Sequence, residues 1–249
     1  MYTERYKIAA EIVEISSIHQ RVHQMCAGYQ VSGQPDFSVC TTQQDIDAER
    51  EISRRQNEKD GISVHPFSDD YLESLAVYRK IAAEMLHRSG LLFHGSVIAV
   101  DGRAYLFTAE SGTGKSTHTR LWRQMLGERA VMVNDDKPIL KFTEQGVMAC
   151  GTPWNGKHCL GENIMVPLAA VCILERGEQN SIRPITVREA LPHLVEESFK
   201  PGNTADRVLL FDLLDRLVRE VSLYRLQCNM DPEAARVSYA MMHEQRAEK

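Results

Sequence analysis

The nine residues 109–117, AESGTGKST, constrain this chain more than any other stretch. An apolar run, 104–108 (AYLFT), comes before them, and a helical pattern, 119–126 (TRLWRQML), comes after. Strand, glycine-rich loop and helix in that order are the setting a phosphate-binding loop needs. Gly112 and Gly114 let the backbone curl until successive N–H groups point at one anion, and the following helix adds its positive end. Among Ser111, Gly112, Thr113, Gly114, Lys115, Ser116 and Thr117, Lys115 has the reach for terminal phosphates and Ser116 a hydroxyl for Mg²⁺. The pattern G-x-x-x-x-G-K-[ST] is met except at its first position, where Ala109 replaces glycine. Alanine is tolerated there if φ stays below zero. The run is therefore expected to bind a nucleotide.

A second constellation follows about twenty residues later. Residues 131–133 (VMV) read as a short buried strand that ends at Asn134, Asp135 and Asp136. One carboxylate can hold Mg²⁺ and the other can accept the proton of an attacking hydroxyl. Asn-Asp-Asp is also good turn chemistry, but the loop upstream favours the site.

Composition narrows the class. At 249 residues, with 43% hydrophobic and 25% charged side chains, the chain reads as globular and can bury a substantial core. Its 29 Lys+Arg against 34 Asp+Glu give −5, which speaks against nucleic acid as a partner. It shows no apolar run of ~18 residues, and its first residues are too charged for a signal peptide, so no membrane is expected. Six scattered cysteines without a C-x-x-C are expected to be reduced thiols, which suggests the cytoplasm. A homo-oligomer is compatible with all of this.

Along the chain, residues 1–60 read as an amino-terminal appendage and 61–249 as the catalytic domain. Residues 5–16 alternate as one strand, and 37–42 form another. His19 and His23, spaced i, i+4, lack a third metal ligand and are expected to face solvent. Residues 48–60 are a solvated charged helix or connector that Gly61 ends, and 66–90 form one helix from Pro66 to a stop at Gly90. LLFHGSVIAV and RAYLF make a hairpin through Asp101-Gly102, 138–142 and 146–150 make another, and 168–174 is a further strand. Thr186 and Glu189 form a capping box before a helix at 190–199. A helix at 205–221 is expected to bury Val208, Leu209, Leu213, Leu214, Leu217 and Val218. A strand at 223–226 and a last helix capped by Asp231, with Pro232 first, complete the pattern. Trp154 and Lys157 are either nucleotide or acceptor contacts or a packed loop, whereas Cys150, His158 and Cys159 fit no common zinc spacing, which leaves buried thiols. The expected class is α/β with a mixed sheet.

The stretch LLFHGSVIAVDGRAYLFTAESGTGKSTHTRLW…AVMVNDDKPIL resembles the catalytic domain of HPr kinase/phosphorylase over residues 91–142, and its Gly-Thr-Gly-Lys-Ser-Thr wording also resembles ATP-dependent phosphoenolpyruvate carboxykinase. The resemblance implies a mixed-sheet P-loop kinase core that transfers the γ-phosphate of ATP, with Mg²⁺, to a hydroxyl of a protein, a peptide or a small molecule. It places His94 beside the phosphates, Lys115 and Ser116 on phosphate and metal, and Asp135 and Asp136 as metal ligand and base. Residues 1–60 do not match the amino-terminal domain of that kinase, and 151–157 stand where it has an arginine- and glycine-bearing segment. The donor site thus carries over and the acceptor site does not. A carboxykinase-like enzyme and a nucleotide sensor without turnover are the alternatives.

Overall fold

The computed structural model describes residues 1–60, 67–156 and 158–244. The chain divides into two compact units, Met1–Glu84 and Met85–Lys249. The expected limit after residue 60, the stop at Gly61 and the helix start at Pro66 adjoin or lie outside the described residues.

In the first unit, β1 (Tyr2–Ile8) and β2 (Glu11–Ser17) pair antiparallel, α1 (Arg21–Met25) follows, and β3 (Phe37–Cys40) joins β2 in parallel. The single strand expected over 5–16 is therefore a hairpin. Its turn, Ala9-Ala10, takes φ of 49° and 73°, a left-handed pair usually given to glycine or asparagine. Helices α2 (Gln43–Asp60) and α3 (Asp69–Leu86) come next. His23 does not face solvent. It is buried between the Tyr6 hydroxyl at 2.8 Å from Nδ1 and the Ser17 hydroxyl at 2.9 Å from Nε2. Ser17 gives its proton to the His19 carbonyl, so Nε2–H donates to Ser17 and Nδ1 accepts from Tyr6. Burial pushes this imidazole below its ordinary pKa, in keeping with the neutral tautomer.

The second unit is mixed α/β. Its strands are β4 (Gly90–Leu92), β5 (Ser96–Val100), β6 (Arg103–Thr108), β7 (Ala130–Asn134), β8 (Ile139–Thr143), β9 (Gly146–Cys150), β10 (Met165–Arg176), β11 (Ser181–Pro184) and β12 (Ser222–Cys228). They run β4-β8-β9-β10-β6-β5-β7, with β12 also on β10 and β11 on β12. The run 91–100 is thus two strands broken at residues 93–95, and Gly90 opens a strand rather than stopping a helix.

Helices α4 (Lys115–Leu126) and α7 (Glu233–Tyr239) cover one face, and α5 (Val187–Glu197) and α6 (Thr204–Glu220) the other. Strand alternation feeds both. Tyr105 and Phe107 pack with Trp122, Ala234 and Ala235, while Ala104 and Leu106 pack with Leu194, Leu210 and Leu214. The capping box at Thr186 and Glu189 is present. In α6 Leu214 and Leu217 are buried as expected and Leu213 and Val218 pack against the core, but Leu210 is buried in place of Val208, which is 56% exposed. Pro232 occupies the cap position of α7, and no side chain caps that helix.

Strand direction positions the site. β10 and β6 are parallel, β5 is antiparallel to β6, and β7 is antiparallel to β5. β7 therefore runs the same way as β6. Its carboxyl end, Asn134 to Asp136, emerges beside the loop that leaves β6, where α/β sheets place ligands.

Candidate functional site

The glycine-rich loop bends where the sequence requires it. Gly112 has φ of 79° and Gly114 of 125°, conformations that a side chain would strain. Arg176, at the end of β10, donates from Nη2 to the Gly112 carbonyl at 2.7 Å and braces the loop. Lys115 is buried, and its Nζ donates to the Ala109 carbonyl at 2.8 Å. Burial lowers its pKa, opposed by the nearby carboxylates of Glu197, Asp136 and Asp135.

One cleft of about 430 Å³ is lined by His94, the loop from Ser111 to Thr117, Asp135 and Asp136, together with Gly156 and His158. Every residue expected at the site thus lies on or beside it, Thr113 within the loop and lining the neighbouring cavities. Asp135 is 8% exposed and accepts from the Ser96 hydroxyl at 2.6 Å. Asp136 is more open, with its Oδ1 3.5 Å from His94 Nε2 and 3.4 Å from Lys137 Nζ. The two carboxylates differ in setting, one held by the sheet and the other facing the cleft.

The sequence did not point to three supporting residues. Glu197, at the end of α5, accepts a hydrogen bond from His94 Nδ1 at 2.6 Å, and its carbonyl accepts from the His94 backbone N–H at 2.8 Å. Burial pushes the Glu197 carboxyl up, but His94, Lys115 and His193 bring it below its ordinary range. Asn134 is buried, and its Oδ1 accepts from the backbone N–H groups of Asp136 and Lys137 at 2.9 and 2.7 Å, while its amide donates to Thr152 and Asn155. It fixes the turn that presents both aspartates. Ser96 also lies 2.9 Å from Thr119 of α4, tying the acid pair to the loop's helix.

Of the other candidates, Trp154 is buried and packed, and Lys157 lies outside the described residues. Cys150 is buried, whereas Cys159 is exposed with φ of 48°, so the expectation of two buried thiols holds for Cys150 alone. All six cysteines are free, and no three His, Cys, Asp or Glu among the described residues form a metal cluster. No helix among them is long and apolar enough to cross a membrane. Among the groups around the cleft, the Ser116 hydroxyl and the Asp135 and Asp136 carboxylates are hard oxygens of the kind Mg²⁺ takes alongside phosphate oxygens.

Fold and cleft define a mixed α/β protein whose glycine-rich loop, lysine and paired carboxylates converge at one end of its sheet. Within that class the chain belongs to the ScmC family, the SynChlorMet cassette protein ScmC, whose match spans residues 63–233. No protein of curated function matches it. Among solved structures it is similar to the Hpr(Ser) kinase/phosphatase from Coxiella burnetii, at 12% identity over 64% of this chain and 99% of that one. The TM-score of that pair is 0.39, too low to define a shared fold.

Proposed function

We propose that the second unit is an ATP-dependent kinase of the HPr kinase-like type, built on a P-loop core, that passes the γ-phosphate to a hydroxyl acceptor. The observation that carries this reading is the single cleft that brings the loop, Lys115, Ser116, His94, Asp135 and Asp136 together. Loop N–H groups and the amino end of α4 cradle the phosphates. Lys115 turns from the Ala109 carbonyl to the terminal phosphates. Ser116 and the acid pair are the groups that would hold Mg²⁺, which when bound neutralises charge on the transferring phosphoryl group. The other role of the pair is to accept the acceptor's hydroxyl proton, and Asp136, the more open of the two, is the better placed to meet it. His94 stands beside Asp136 with its orientation fixed by Glu197. In such transfers the protein mostly positions groups and stabilises charge.

Removing Lys115 tests the binding half of this reading. A charge-assisted contact to phosphate contributes about 1.5–3 kcal/mol, so Lys115→Ala is expected to weaken Mg-ATP binding roughly tenfold or more in calorimetry. Unchanged affinity would remove the nucleotide from the loop.

A further inference from the structure

Beside the cleft lies a smaller cavity of about 190 Å³, whose lining includes Ser116, Thr117, Arg120, Arg123, Asp135 and His158. Its helical wall is one stripe of α4, because positions 116, 119 or 120, and 123 repeat at helical spacing. Arg120 and Arg123 therefore lie on the same stripe and line one cavity with Asp135. Some arginines of this unit are neutralised, as Arg129 is by Asp101, Arg183 by Glu189, Arg219 by Asp215 and Arg225 by Glu175, whereas others, such as Arg103 and Arg188, have no such partner among the described residues. Neither Arg120 nor Arg123 pairs with a carboxylate or a carbonyl among the described residues. Asp135 lines the same cavity but forms no ion pair with either of them.

Like charges one turn apart on a helix repel. Two guanidiniums without a direct ion pair beside one cavity can share an anion that both reach, and guanidinium forks match the oxygens of carboxylate and phosphate. The cavity is smaller than the roughly 300–1,000 Å³ of pockets that enclose a whole ligand. It has room for one small group of a larger molecule. It also shares Ser116, Thr117, Asp135 and His158 with the main cleft, so a molecule anchored there extends towards the acid pair.

We propose that Arg120 and Arg123 form an anion subsite for the phosphoryl acceptor, so that the acceptor is a hydroxyl compound carrying a carboxylate or phosphate group close to that hydroxyl. This rests on the kinase reading for the identity of the bound molecule, but the subsite itself is testable without turnover. Inorganic phosphate and succinate would each be titrated into protein saturated with Mg²⁺ and a non-hydrolysable ATP analogue. Arginine side-chain NMR signals and calorimetry would be followed together. The expected result is that one or both probes move the Arg120 and Arg123 signals while the analogue stays bound. The stronger probe identifies the phosphate or carboxylate form. Arg120→Gln/Arg123→Gln should weaken the probe at least tenfold and leave the analogue's affinity unchanged, which also reports an intact fold. Arg120→Lys/Arg123→Lys should fall between, keeping the charge and losing the fork. Probes that leave both arginines unmoved, or bind equally well to the Gln variant, would overturn the subsite. Failure of the analogue to bind, with the arginine signals still responding to phosphate, would instead count against the kinase reading.

Discussion

Glu73 in the first unit and Glu197 in the second each hold a histidine, and they differ in what else reaches them. Glu73 is 1% exposed and is saturated: it accepts from the Ile18 and His19 backbone N–H groups at 2.6 and 2.7 Å, from the Thr41 hydroxyl at 2.6 Å, and from His19 Nδ1 at 2.8 Å. Glu197 takes the His94 ring at 2.6 Å, and the other nitrogen of that ring faces Asp136 and the cleft. The first pair is closed on itself and ties α3 to two loops of its own unit. The second passes its orientation on to a cleft lined by Lys115 and two aspartates. A carboxylate–histidine contact alone therefore does not mark a functional site. What marks one is the free end of the histidine and the company it faces.

Substitution should separate the two. Glu73→Gln places an amide NH₂ against donors that need an acceptor, and the loss of charge-assisted bonds should lower unfolding stability by about 3 kcal/mol. Urea denaturation measures it, and a change below the error of that method would mean that Glu73 is no anchor. Glu197→Gln keeps one acceptor for His94, so its stability cost should be smaller, about 1 kcal/mol. Its effect should fall on turnover instead, up to about 10²-fold through misplaced His94. The reverse pattern, a large stability loss with turnover kept, would erase the contrast.

Acid supplies the smallest and sharpest test. Burial pushes the Glu73 carboxyl up, but Thr41, the two backbone N–H groups and His19 more than offset it, leaving it below the ordinary value of 4.5. A depressed carboxyl binds protons less readily when folded than when unfolded. Its contribution is complete above pH 4.5 and is lost as pH falls through the lower folded value. Wild-type stability should therefore decline below that point, and Glu73→Gln should decline less steeply, as urea midpoints on either side of pH 4.5 would reveal.

The same contrast explains what could be read from the sequence. Asp101-Gly102 announces its hairpin because glycine suits φ of 74°, whereas Ala9-Ala10 makes a turn of the same left-handed kind with residues that carry no such signal. The loop from Ser111 to Thr117 and the pair Asp135-Asp136 are local motifs, legible because their chemistry is written in consecutive residues. Glu197 lies 103 residues from His94, and only tertiary packing brings α5 to the start of β5. Asn134 is in view at the end of its strand, but nothing local marks it as the residue that builds the turn after it. His23 looked like half of a surface pair because helical spacing gives the face and not what covers it. In α6 nearly every apolar position fits some stripe, so the sheet rather than the sequence selects Leu210 over Val208.

Whether this cleft transfers a phosphoryl group, as proposed, or merely holds a nucleotide is decided by the acid pair. Asparagine at both Asp135 and Asp136 keeps size and much of the hydrogen bonding but can neither accept a proton nor offset the charge of Mg²⁺. Turnover of ATP and ATP affinity would be measured on the same preparation of Asp135→Asn/Asp136→Asn. Transfer, or slow hydrolysis without an acceptor, should fall by about 10²–10⁴, while affinity drops only modestly because the loop and Lys115 remain. Wild-type turnover in the double variant would contradict the kinase reading and leave a protein that binds nucleotide without acting on it.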